Sequence, residues 1–72
     1  MVKTLNDIIT MIQLGVGISV DAGSFRFESI LDFVKHAEAS GATIIIRRAT
    51  KIKEDDLRKL IFLAPGRVVF EF

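Results

Sequence analysis

The chain has 72 residues, half of them hydrophobic, with ten Lys and Arg against nine Asp and Glu. We expect one domain over residues 1–72, because so short a chain has no material for a second hydrophobic core. The formal net charge of +1 gives no global field that would attract nucleic acid or an acidic membrane. The absence of cysteine excludes disulfides, thiolate zinc sites and cysteine nucleophiles, and the single histidine argues against a histidine-rich metal site.

The hydrophobic content bears on location and on assembly. No apolar run approaches the roughly 20 residues that cross a bilayer, and Asn6 and Asp7 interrupt the apolar N-terminal region. We therefore expect a cytoplasmic protein with no targeting segment, no membrane contact and no cofactor. The 50% of residues that are hydrophobic is also more than a monomer of this size can easily bury, which favours self-association.

The first unit is a helix followed by a strand. Residues 4–14 place four apolar side chains near one helical face: Leu5, Ile8, Ile9 and Ile12. Thr4 and Asp7 fit a helix start, and Gly15 ends the helix. Residues 18–21 then alternate apolar with polar side chains, which predicts a strand with one covered face.

The second unit has the clearest helical period and the most apolar strand. Apolar side chains recur at intervals of three and four through residues 28–39, and Gly41 ends that helix. Residues 41–48 contain three consecutive isoleucines. Such a run is typical of a central strand that is paired on both edges.

The third unit begins with three acids, which oppose the positive end of the helix dipole in residues 54–56. The predicted covered side of this helix consists of Leu57, Leu60, Ile61 and Leu63 or Ala64. Pro65 and Gly66 end the helix, and residues 67–72 form a closing strand.

The three units repeat one pattern of apolar positions and glycines. Steps of 26 and 24 residues place Ile18 over Ile44 over Val68, and the same alignment places Asp21 over Arg47 over Glu71. Connections that contain one helix each require parallel strands. The predicted fold class is therefore α/β: three α-β units forming a small, repeat-like, three-stranded and mainly parallel sheet with helices layered on one face.

The alternation along the strands assigns their side chains to two faces of the sheet. The face covered by helices is predicted to carry Ile18, Val20, Ile44, Ile46, Val68, Phe70 and Phe72. The open face is predicted to carry Ser19, Asp21, Thr43, Ile45, Arg47, Arg67, Val69 and Glu71. Opposite charges on adjacent strands of the open face would favour this register.

The strand-to-helix half of two units resembles the leucine-rich-repeat type of β/α solenoid. The residues that carry the resemblance are Ile44, Ile46, Ala49, Ile52, Leu57, Leu60 and Leu63. Ala49 stands near the place where that family has an asparagine. The resemblance implies a binding scaffold that presents its strand face to another protein.

The open face and the strand edges are the expected interface. Three parallel strands leave two edges and one face uncovered, an arrangement that rarely stands alone at this size. We expect homo-oligomerisation, with a different protein partner as a further expectation, and a solvated monomer as the rival interpretation. The predicted interface residues are Ile45, Arg47, Val69, Glu71 and Phe72.

A basic segment follows the central strand and offers a second kind of site. Arg47, Arg48, Lys51 and Lys53 lie near the carboxyl ends of the predicted strands, where ligands of parallel sheets bind. An anion or phosphate site is one interpretation of these four residues. Solvated charges and salt bridges are the other, because no glycine-rich phosphate fingerprint is present and the following helix opens with acids.

The remaining chemical candidates have structural interpretations. His36 lies on the second helix without an evident nucleophile, so we expect a helix-surface residue. Phe25 and Phe27 flank Arg26, which is compatible with base stacking, but a hydrophobic staple between Phe27 and Leu31 is favoured.

We therefore expect a non-catalytic interaction or structural module. The alternative is a small nucleic-acid or phosphate-ligand binder, although the charge balance argues against nucleic acid. A third interpretation, an idealised sequence with no biological task, rests on the regular units and on the lack of Cys, Trp and Tyr.

Overall fold

The computed structural model describes residues 5–72, which form three α-helices, three strands and a short 3₁₀ turn. In chain order these are α1 (Leu5–Gln13), β1 (Ile18–Asp21), α2 (Phe27–Ser40), β2 (Ile44–Arg47), the 3₁₀ turn (Ala49–Lys51), α3 (Glu54–Leu63) and β3 (Val68–Glu71). The predicted α/β class is confirmed. The predicted helix start at Thr4 lies outside the described residues.

The strands form one parallel sheet in the order β1-β2-β3. Ile18 pairs with Ile44 and Ile44 with Val68, while Asp21 pairs with Arg47 and Arg47 with Glu71. The repeat alignment from the sequence is thus the register of the sheet. β2 is shorter than predicted, because Gly41 lies at the end of α2 in a left-handed conformation and the strand begins only at Ile44.

The hydrophobic core lies between the three helices and one face of the sheet. The largest fully buried side chains come from all layers: Ile12, Ile30, Phe33, Val34, Ile44, Ile46 and Leu60. Within the described residues no polar or charged residue is buried. The core is therefore apolar throughout, and Ile46 faces the helices as the alternation predicted.

A glycine in the left-handed region follows the helix of each unit, although α3 itself ends at Leu63 with Ala64 as its C-cap. Gly15, Gly41 and Gly66 have φ angles of 85°, 81° and 80°, a conformation that costs an L side chain energy but suits glycine. The N–H of Gly41 donates to the carbonyl of Ala37 at 2.8 Å, which closes the last turn of α2. Gly15 and Gly41 each stand three residues before the strand that follows, whereas Gly66 stands two residues before β3.

The predicted staple between Phe27 and Leu31 is wrong, because α2 begins one residue earlier than expected. Arg26 occupies the N-cap and Phe27 is already helical, so the position before the cap belongs to Phe25. The ring of Phe25 packs edge-on against Phe33 with centroids 5.3 Å apart. This contact ties the β1–α2 connection to the core.

Candidate interaction surface

The open face of the sheet carries most of the predicted interface. Arg47 and Glu71 are exposed, Ile45 is half-buried, and Val69 is 46% exposed. Ile45 pairs with Val69 in the register of β2 and β3, so the two side chains are neighbours on this face. The structure therefore brings an apolar pair together with a row of charges beside it.

The prediction that Phe72 lies on the face covered by helices is wrong. β3 ends at Glu71, and the Phe72 side chain is 75% exposed. Its ring lies 6.2 Å from that of Phe70, which is half-buried. β3 is the outermost strand, so no described element lies beyond it to cover this ring.

α3 also exposes more apolar surface than predicted. Leu60 and Ala64 are fully buried, whereas Ile61, predicted to be covered, is 50% exposed and Phe62 is 87% exposed. Phe62 and Leu63 share a surface depression with Leu31 of α2. Four apolar residues in a row at 60–63 cannot all face one core, so at least one of them has to be exposed, and here Phe62 is the most exposed.

The free edges of the sheet follow from its hydrogen bonds. The N–H of Ile18 donates to the carbonyl of Thr43 at 3.1 Å, and the N–H of Ile44 donates to the carbonyl of Arg67 at 2.8 Å. Peptide groups alternate in direction along a strand. Hence Ser19 of β1 directs its peptide groups away from β2, as do Val68 and Phe70 of β3.

Asp21 and Arg48 form the strongest polar contact near the carboxyl ends of the strands. Arg48 Nε donates to Asp21 Oδ1 at 2.8 Å, and Nη2 donates to Oδ2 at 2.5 Å. The Gly23 N–H donates to Asp21 Oδ1 at 2.8 Å. The Arg48 guanidinium, and then the Gly23 N–H, hold the pKa of Asp21 below its ordinary value, and Asp21 raises the pKa of Arg48.

This ion pair differs from the charge row that the register suggested. Arg48 has a φ of 54°, a left-handed conformation that is uncommon outside glycine. The partner of Asp21 is therefore the residue after the strand. Among the ion pairs of residues 5–72, none joins Arg47 to Asp21 or to Glu71.

The four basic residues of the predicted anion site point to different surroundings. Arg47 lines a groove of about 370 Å³ beside β1, together with Ile8, Met11 and Phe25. Arg48 is engaged with Asp21 beside Gly23. The remaining two, Lys51 and Lys53, line a smaller depression of about 180 Å³ that also contains Asp56.

Other chemistry is sparse in the part of the chain that the structure describes. No three His, Asp or Glu side chains converge there in a way that could hold a metal ion. His36 is a partly exposed residue of α2. None of the helices within residues 5–72 combines the length and the apolar character needed to cross a membrane.

No protein-family model, curated protein or solved structure matches this chain significantly.

Proposed function

We propose that this chain is a non-catalytic interaction module that self-associates through the uncovered side of its third unit. One observation carries the proposal. Val69 on the open face of β3 and Phe72 just after that strand remain exposed, whereas the exposed Phe62 of α3 lies in the helical layer, beside Leu31 of α2. Exposed apolar surface that surrounds an unpaired strand edge favours association with another chain.

The surrounding polar residues are compatible with an interface. Arg47 and Glu71 are exposed beside Ile45 and Val69, so a partner would meet apolar contacts at the centre and charges around them. Protein interfaces commonly have this arrangement of an apolar centre and a polar rim. Arg47 and Glu71 would then favour one orientation of the partner over others.

Sedimentation equilibrium over a wide range of protein concentration tests this proposal. We expect a dimer or higher species that persists at high salt, because burial of apolar surface does not depend on counterions. Ile45→Lys distinguishes association through the open face from association through the outer edge of β3. The substitution places a charge in the open face and leaves the edge unchanged. A monomer at all concentrations would contradict the proposal.

A second candidate function is binding of a phosphate ligand or nucleic acid through the basic segment. The observation in its favour is that Lys51 and Lys53 are exposed and border the same depression. Neither takes part in the ion pairs found within residues 5–72. Such binding weakens steeply as salt rises, so a salt titration with a labelled oligonucleotide tests it, with Lys51→Ala as the variant and Lys35→Ala as the matched control.

A further inference from the structure

We infer that two copies of this chain join by antiparallel pairing of their β3 strands, about a two-fold axis that passes midway between Val69 of one copy and Val69 of the other. The inference rests on the proposed self-association and gives it a geometry. The two sheets would become one continuous sheet of six strands, with the β3 strands at its centre. The occupant of the outer β3 edge is thus a second copy of the same chain.

The direction of the peptide groups permits this pairing. The carbonyl of Arg67 accepts from β2, so Val68 and Phe70 direct their peptide groups outward. In an antiparallel ladder, a hydrogen-bonded pair needs outward peptide groups on both strands. With Val69 on the axis, Val68 faces Phe70 of the second copy, and both members of the pair meet this requirement.

The charges flanking Val69 are self-complementary in this register. Arg67 lies opposite Glu71 of the second copy, and the symmetry repeats that pair on the other side of the axis. Both residues are exposed. Arg67 Nη1 donates to the carbonyl of Gly41 at 3.1 Å, which leaves the other N–H donors of the guanidinium for a carboxylate.

The same register brings Phe72, which follows β3, toward Gly66 of the second copy, which lies in the turn before β3. Nothing lies within 4 Å of the position that a Gly66 side chain would occupy, so the space is open to a neighbouring ring. The pairing would therefore cover part of the Phe72 ring, which is 75% exposed in the single chain.

Two other arrangements of the same edge lose these contacts. A shift of the antiparallel register by two residues sets either Glu71 or Arg67 opposite Val69 of the second copy. The two Arg67–Glu71 pairs are lost in either direction. Parallel stacking of β3 on β1 of another copy, in the register that the sheet already uses, sets Glu71 beside Asp21. Like charges on adjacent strands are unfavourable, so continuation of the repeat is disfavoured.

Single-cysteine variants test the axis directly, because the parent chain has no cysteine. Residues on the axis form a non-hydrogen-bonded pair with Cα atoms about 4.5 Å apart, a distance within the range of a disulfide. We expect Val69→Cys to form a covalent dimer under mild oxidation. Ser19→Cys, on the open face at the other edge of the sheet, is the matched control and should remain largely monomeric.

A charge exchange tests the register. Arg67→Glu and Glu71→Arg should each self-associate about tenfold more weakly, because both variants convert two opposite-charge pairs into like-charge pairs. An equimolar mixture should associate about as tightly as the parent, since each variant supplies the charge that the other lacks. Arg26→Glu, at an exposed position at the N-cap of α2 and outside the proposed interface, serves as the charge control.

The outcomes separate this inference from the proposed function. A dimer that shows the Val69→Cys cross-link and rescue in the mixture supports both. A dimer without the cross-link, or one that Glu71→Arg tightens, contradicts the β3 pairing and leaves self-association standing. A parent chain that stays monomeric at every concentration overturns both.

Discussion

Replacement of Ile46 is the sharpest test of how the sheet faces its helices. The Ile46 side chain is fully buried, in the middle of the central strand between Val20 of β1 and Phe70 of β3. Its neighbour Ile45 lies on the opposite face and is only half-buried. Substitutions at these two adjacent positions therefore report on burial with the local backbone held constant.

The expected magnitudes form a series. Ile46→Val should lower the free energy of unfolding by about 1 kcal/mol, and Ile46→Ala by about 2 to 5 kcal/mol, because a cavity remains in the core. Ile45→Ala should cost roughly 1 kcal/mol, since its side chain remains partly exposed in the folded chain. Ile46→Asp adds the cost of an unpaired buried charge to the loss of packing.

The total stability sets the outcome for the aspartate variant. A chain of this length is expected to have a free energy of unfolding of about 4 to 11 kcal/mol. Ile46→Asp should consume most or all of it, and the variant should show no cooperative transition. Ile46→Val should lower the melting temperature by about 4 to 8 °C.

The assay is urea unfolding followed by far-UV circular dichroism at one fixed protein concentration, because self-association makes apparent stability depend on concentration. Equal losses for Ile46→Ala and Ile45→Ala would show that the helices do not distinguish the two faces. If Ile46→Asp unfolded at the same urea concentration as the parent, the assignment of faces would have to be reversed.

Three further predictions concern the contacts outside the central strand. Asp21→Asn should be less stable than the parent near pH 7, because Arg48 holds the pKa of Asp21 below its ordinary value of 3.8. Stability that comes from a lowered carboxyl pKa is lost as the pH falls through the pKa of the folded state. Urea titrations should therefore show that the difference between variant and parent vanishes in strong acid. A difference that persisted there would contradict this assignment. Gly41→Ala should cost about 1 kcal/mol in the same assay because of its positive φ, whereas Gly17→Ala, outside that conformation, should cost less. Phe25→Leu should lose roughly 0.5 to 1.5 kcal/mol of edge-on ring contact with Phe33, while Phe62→Leu, at an exposed position, should leave thermal stability unchanged.

The topology was predictable because local signals agreed along the chain. A glycine follows each helix, the strands alternate, and the unit lengths align Ile18 with Ile44 and Val68. The apolar positions, repeated in steps of 26 and 24 residues, coincide with the register of the parallel strands. The sequence therefore contained both the order of elements and the pairing of residues.

The rotation of α3 was not predictable from the same signals. Leu60, Ile61, Phe62 and Leu63 are consecutive apolar residues, so periodicity alone selects no side. Packing against the sheet and α2 makes the choice, and it buries the small Ala64 while leaving Ile61 half exposed. The spacing of apolar residues along one helix does not predict tertiary contacts of this kind.

The partner of Asp21 was also hidden in the sequence. The register alone brings Asp21 beside Arg47, and the positive φ that carries Arg48 to the carboxylate belongs to a residue type that seldom adopts it. This contact also affects the basic segment, because the Arg48 guanidinium is paired with the Asp21 carboxylate. A phosphate ligand would therefore depend chiefly on Lys51 and Lys53, and Arg48→Ala should affect stability more than binding.

The self-complementary pattern around Val69 shows how sequence and topology have to be combined. Glycine with phenylalanine, arginine with glutamate, and valine with phenylalanine stand at equal distances on either side of Val69. Such symmetry carries no meaning in a central strand, where both edges are already paired. It becomes a pairing signal only because β3 is the outer strand and its residues 68 and 70 direct their peptide groups outward. The backbone permits each antiparallel register that sets outward peptide groups opposite one another, and the charges of Arg67 and Glu71 then favour the register centred on Val69.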